Sequence, residues 1–308
     1  MTKKPELLQL KNLQFFAAEP NLTRDLGKAL SIDFTERFGQ RFKSLYELLG
    51  IQRILPMASG TVLKTYTSSV TLDGTEVAPG DIIPLSSVKL EDGPTQELTW
   101  DKKRKAVPME DIQKYGFERA ITMTDSKLLA EIQKGVRTKL LAQLATGTGT
   151  AAGEGLQMAM AQNWAAVATK FEEDDVQTIS FINPFDAADY LGKAAISTQS
   201  AFGMTYVENF LNNKVVFMHG DIPQGTIYST ADQNLVTAYA LMSGGEIGKA
   251  FDFTIDETGI IGVTHDVNKQ RLQAETITAY GIVLFAERID GIIVGTITEP
   301  VDPEPGEA

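Results

Sequence analysis

The sequence predicts an α+β protein organised on one long helix. Three observations predict it. Within Thr124–Ala145 apolar residues recur at helical spacing, Leu128, Ile132, Val136, Leu140 and Leu144, with Leu129 and Leu141 widening the stripe. Upstream, TVLKTYTSSVTL alternates and is rich in threonine and valine, as a strand is. The chain then closes on AETITAYGIVLFAERIDGIIVGTI, β-branched and nearly continuous.

Thr124 or Asp125 supplies the expected N-cap of the long helix. Roughly 20 residues then make a rod of about 30 Å. Gly147 and Gly149 stop it, and TGTGTAAGEG reads as a flexible joint. A phosphate-binding loop is excluded there. The spacing is not G-x-x-x-x-G-K-S/T, no lysine is present, and the glycines follow a helix rather than a strand.

Before this helix, residues 1–30 show little sustained period, and Pro20 and Gly27 interrupt them. They read as an arm that folds against something else. Residues 33–49 predict a helix with Phe34, Phe38, Phe42, Leu45 and Leu49 on one stripe. Asp33 with Glu36 reads as its capping box and Gly50 as its stop. The stripe suits a core-facing helix or an arm on a neighbouring subunit equally well. A long two-stranded excursion follows, with Asp73-Gly74 as a turn. Its apolar content is too thin for a core of its own. A lone hairpin is marginal in water, so it leans on another surface. Its return carries Asp101-Lys102-Lys103-Arg104-Lys105, which reads as a solvated run or as a patch for an acidic neighbour.

After the long helix, Met160, Trp164, Val167 and Phe171 mark a second one. VQTISFINP is a strand, and Asn183-Pro184 turns into the short helix FDAADYLGKAA. YVENFL and Asn212-Asn213 precede the strand KVVFMHG. DIPQGTIYSTADQNLVTAYA reads as turn, strand and loop, and a strand pair is expected around Gly259. The end, EPVDPEPGEA, is polar and acidic.

With 308 residues the chain has room for one large or two ordinary domains. It has no cysteine, which excludes disulfides and thiolate metal sites, and its two histidines exclude a multi-histidine metal site. A net charge of −12 argues against general affinity for nucleic acid. No apolar run approaches the ~20 residues of a membrane span. His219-Gly220-Asp221 and His265-Asp266 could be drawn as acid/base pairs, but neither has a nucleophile motif, and both read as turn histidines. Glu172-Glu173-Asp174-Asp175 lacks the pattern of a calcium loop and reads as a solvated helix end. No enzyme, cofactor or metal site is expected.

The order of parts resembles a tailed-phage major capsid protein of the Hong Kong 97 type. Three stretches carry the resemblance: LLAQLATGTGTAAGEGL, similar to the end of that family's spine helix; VQTISFINPFDAADYL, similar to a strand, turn and helix of its axial domain; and the closing AETITAYGIVLFAERIDGIIVGTI. It implies an N-terminal arm at 1–56 and an extended loop at 57–105. It implies a peripheral domain with the spine helix at 106–150, an axial domain at 151–270, a β return at 271–298 and an acidic tail at 299–308. The implied function is self-assembly as hexamers and pentamers into a shell around double-stranded DNA, enclosed without sequence-specific binding, in the virion. Implied partners are copies of the chain, a portal and a separate scaffolding protein, with no membrane. Expected assembly contacts are Lys102, Lys103, Arg104, Lys105, Asp73, Gly74, Phe34 and Phe38. No cross-linking Lys–Asn pair is identifiable: Lys64 and Lys89 lie in the loop, and Asn212, Asn213 and Asn268 in or near the axial part. Cellular nanocompartment shells of the encapsulin kind share the fold and form a second reading. An unrelated α/β enzyme is a third.

Overall fold

A computed structural model describes residues 23–51, 53–71, 87–172, 176–193, 197–242, 250–255 and 258–299. The expected turn at Asp73-Gly74, most of the acidic run after Glu172, and the arm and tail ends at 1–22 and 300–308 lie outside the described residues.

The first helix, α1 (Thr23–Leu49), is longer than the sequence pattern suggests. Asp33 is therefore mid-helix rather than a cap, and it pairs with Arg37 one turn on at 2.7 Å. Gly27 does not break the helix. It is where α1 crosses the sheet: a Cβ there would sit 3.0 Å from the backbone oxygen of His265. Gly50 does end the helix, at φ +63°, the left-handed conformation glycine adopts without cost.

Strand β1 (Arg53–Met57) follows, an edge strand that tolerates Pro56 because its outer side needs no donor. The expected hairpin forms from β2 (Val62–Thr71) and β3 (Ser87–Glu97), paired antiparallel. Its root leans on the chain itself. The Tyr66 amide donates to the Glu287 carbonyl at 2.9 Å, and Leu63 and Leu98 pack with Val283 and Phe285. Strand β4 (Asp101–Pro108) and helix α2 (Met109–Tyr115) lead to Gly116, and the spine helix α3 begins directly after it.

Helix α3 (Phe117–Leu144) has 28 residues, about 42 Å at 1.5 Å per residue. Leu129, Ile132, Val136, Leu140 and Leu144 are buried as the pattern predicts, whereas Leu128 is only half-buried. The helix starts about two turns earlier than expected, so Thr124 and Asp125 are interior residues and not caps. Nor is the stretch after it a joint. Residues 149–154 form β5 (Gly149–Glu154), which pairs parallel with β16 (Ile293–Thr298) along its whole length.

Helix α4 (Gly155–Lys170) buries Met160 and Val167, while Trp164 is 39% exposed, off the buried face. Then come β6 (Thr178–Ile182), α5 (Pro184–Lys193), β7 (Gln199–Ala201), β8 (Met204–Phe210), β9 (Asn213–Met218) and β10 (Thr226–Ala231). Asn183 starts α5 as expected, its Oδ1 accepting from the Phe185 amide at 2.9 Å. The segment read as a loop after β10 is strand β11 (Leu235–Ala240). Strands β12 (Thr254–Ile255), β13 (Ile261–Asn268), β14 (Gln273–Tyr280) and β15 (Ile282–Ala286) complete the chain before β16.

Among the described residues four sheets result, ordered β5-β16-β10-β6-β9-β8-β7, β12-β13-β14-β4, β1-β11-β15 and β2-β3. They cut across the expected segments. β16 lies in the segment 271–298 yet belongs to the seven-stranded sheet, and β13 lies in 151–270 yet pairs with β14. Pairing between distant strands, which local pattern does not encode, decides this. The main core gathers α1, α3 and faces of three sheets. Within it the Phe42 ring stacks near Phe38 at 5.3 Å and meets Tyr46 and Phe202 edge-on. We predict that Phe42→Ala costs about 3–5 kcal/mol, read as a lowered urea midpoint. An unchanged midpoint would mean α1 contributes little to the core.

Candidate functional site

A carboxylate on the apolar stripe of a helix needs partners, and Asp125 has them from three strands, with α1 joined through one of them. It is 1% exposed. Lys105 of β4 places Nζ 2.7 Å from Oδ1, and Thr276 of β14 donates to the same oxygen at 3.2 Å. His265 of β13 places Nε2 3.0 Å from Oδ2. The other ring nitrogen, Nδ1, is 2.7 Å from Ser31 Oγ on α1. Lys105 also donates to the Ile121 carbonyl at 3.0 Å and to the Thr124 hydroxyl. Burial pushes the Asp125 carboxyl up, but hydrogen bonds from His265 and Lys105 outweigh it and hold the group below its ordinary value. Burial lowers the Lys105 ammonium, with Asp125 opposing.

Ser31, His265 and Asp125 form a hydroxyl–imidazole–carboxylate chain, the order found in hydrolase triads. The chemistry does not follow. Ser31 is 2% exposed and its hydroxyl donates to the Gly27 carbonyl at 3.0 Å, while the His265 side chain is 4% exposed. A nucleophile must reach a substrate, and this one is covered by α1 itself. The group is a polar clamp holding α1, α3, β4, β13 and β14 together. His265 is thus a buried strand residue, not a turn residue. His219 does sit in a turn, its Nδ1 accepting from the Asp221 amide at 3.2 Å, and burial with Arg137 nearby lowers its basicity.

The expected assembly residues separate. Phe34 and Phe38 are 0% and 1% exposed within the chain's own core, so α1 is core-facing and these rings are not free for a neighbour. Arg104 forks onto Glu275, Nε to Oε2 at 3.0 Å and Nη2 to Oε1 at 2.5 Å. That contact, with Gln273, holds the Glu275 carboxyl down at about 2. Lys105 is committed to Asp125. Lys102, Lys103 and Arg104 are all exposed, on β4, the edge of its sheet, where exposed lysines oppose further strand pairing. Among the cross-link candidates, Lys64 pairs with Asp92 across the hairpin at 2.7 Å, Asn213 is buried, and Asn268 donates to Glu275 at 3.0 Å. The Asp125 clamp had a signal in the sequence: an acid in register with Leu129, Ile132 and Val136. Its partners are far away in the chain.

No protein-family model matches the chain, and no curated protein matches its sequence. Solved structures do match in shape. The capsid of an empty GTA particle superposes with a TM-score of 0.50 over 82% of this chain and 89% of that one, at 10% identity. A chain of the structure titled Mycobacterium phage Adephagia matches over 83% and 91%, at 11% identity and a TM-score of 0.49. The SrpI encapsulin of Synechococcus elongatus matches over 83% and 90%, at 10% identity and a TM-score of 0.47. The first of these defines the class: an α+β shell-protein fold, present over most of both chains. In particular it is the Hong Kong 97-type fold, with a spine helix, a projecting hairpin and two large sheets.

Two predictions follow from the clamp. Asp125→Asn leaves Lys105 without its counter-charge and costs about 3–5 kcal/mol, read as a lower urea midpoint at pH 7. Asp125 and Glu275 are both depressed in the folded state. Their contribution is present above the unfolded carboxyl values and is lost as pH falls through the folded ones, for Glu275 between about 4.5 and about 2. The urea midpoint should therefore fall steeply with acid, and less steeply in Glu275→Gln. Parallel curves would contradict the assignment.

Proposed function

We propose that this chain is a major capsid protein, assembling as hexamers and pentamers into an icosahedral head that encloses the double-stranded DNA of a tailed phage or prophage. The observation that carries the proposal is the β2–β3 hairpin on a chain of this fold. Among the described residues it is a two-stranded sheet tied to the rest of the chain by one β-bridge, Tyr66 with Arg288, and by contacts at its root, with Leu90 67% exposed. Such an element is marginal on one chain and stable when it buries its face on a second. In the proposal, 57–105 is the extended loop, 151–270 supplies most of the axial domain, and 106–150 with 271–298 most of the peripheral one. Lys102 and Lys103 meet acidic groups of a neighbouring copy, and a scaffolding protein and portal complete the assembly. The chain performs no catalysis: it encloses, and its net charge of −12 keeps packaged DNA from adhering.

Deleting residues 70–95 tests this. We expect the remaining chain to stay folded, with its circular dichroism retained, because Leu63 and Leu98, which pack the hairpin root on the core, lie outside the deletion, while closed shells disappear from micrographs. Shells formed by the deletion variant would refute the docking role of the hairpin.

A further inference from the structure

One cation of the spine helix is buried without a counter-charge in contact. Arg137 of α3 is 9% exposed, and its Nη1 donates to the Phe202 carbonyl at 2.6 Å. The β7–β8 turn is shaped for that contact. Phe202 and Gly203 both take positive φ, +50° and +75°, and a Cβ on Gly203 would overlap Nη1. Among the described residues no carboxylate lies within ion-pairing distance of the guanidinium, and Asp221 acts on it only from farther off. A buried charge left this way has most of its desolvation cost uncompensated. Nη2 also has no partner among the described residues, but unlike the sealed Nε it reaches solvent.

Other charged groups gather at that opening. Lys134 stands one turn earlier on the same face of α3, exposed and in no ion pair among the described residues. His219 and Asp221 stand in the turn after β9. Arg137 and Lys134 lie close enough to His219 to oppose its protonation. The Asp221 carboxylate, 45% exposed, lies 3.5 Å from His219 Nδ1 and not on Arg137. The notch thus carries a surplus of positive charge on a chain whose net charge is −12. We propose that it binds a small oxyanion, phosphate or carboxylate, between Arg137 Nη2 and Lys134 Nζ, with the Asp221 carboxylate as its competitor. A guanidinium backed by an ammonium suits either anion. A free inorganic ion and an acidic side chain of a second copy supply the same chemistry. The site belongs to the single chain and does not rest on shell formation.

The chain has two histidines, which makes the test direct. NMR follows both imidazoles of the full chain through a pH titration, with inorganic phosphate or with potassium chloride at matched ionic strength. His265, whose side chain is 4% exposed, is the internal reference. An anion seated beside His219 favours its protonated form. The expected result is a saturable rise of the His219 midpoint with phosphate and not with chloride, while His265 stays fixed. Lys134→Gln should raise the half-saturating phosphate concentration about threefold. Arg137→Gln should raise it about tenfold, and Asp221→Asn should lower it. Lys134 and Asp221 are exposed, so these two variants decide the matter even if Arg137→Gln disturbs the fold. A rise that follows protein concentration without phosphate, and is weakened by Lys134→Gln, also supports the site and identifies the carboxylate of a second copy. A midpoint that answers to neither phosphate nor protein concentration would overturn the proposal. So would a response that chloride reproduces, or one unchanged in Lys134→Gln and Asp221→Asn.

Discussion

Asp125 is a charge inside a core, and the fold is arranged so that it is never alone. An unpaired buried carboxylate would lose its charge or the fold its stability. Here Lys105, His265 and Thr276 approach from three strands, and Ser31 joins α1 through the imidazole. The consequence is geometric. The spine helix can sit on the β12-β13-β14-β4 sheet in one register only, and α1 can cross it at one place, where Gly27 meets His265. Apolar packing supplies most of the attraction between these layers, but apolar contacts slide; the clamp does not.

That fixed body explains why the rest of the chain is free to extend. Among the described residues the hairpin meets the rest of its chain at its root, through Tyr66, Leu63 and Leu98. The lysines at its return show the same division. Arg104 and Lys105 are spent internally on Glu275 and Asp125, and Lys102 and Lys103 are left outward on a sheet edge. A rigid body with marginal extensions is what a shell subunit requires, since extensions that order only on a neighbour couple folding to assembly. The fold is shared over 82% of the chain at 10% identity, because a fold constrains shape and not particular side chains.

The spine was legible because one residue in three or four carries the pattern. The apolar stripe of α3 and the phenylalanine stripe of α1 both read correctly from spacing alone. Helix starts were not legible. Thr124 and Asp125 look like caps, and only the distant Lys105 and His265 show that they point inward. Gly149 and Gly153 look like a joint, and only β16, well over a hundred residues later, makes them a strand. Phe34 and Phe38 read as assembly contacts for a related reason: such a stripe states that a face must be covered, without stating by which chain, and here the chain's own core covers it.

The most direct measurement is electron microscopy of the purified chain, alone and with the products of its neighbouring genes. The account predicts closed shells, or rings of five or six copies, in at least one preparation. A uniform monomer in both would contradict it, and would leave a Hong Kong 97-type fold put to some use other than enclosure.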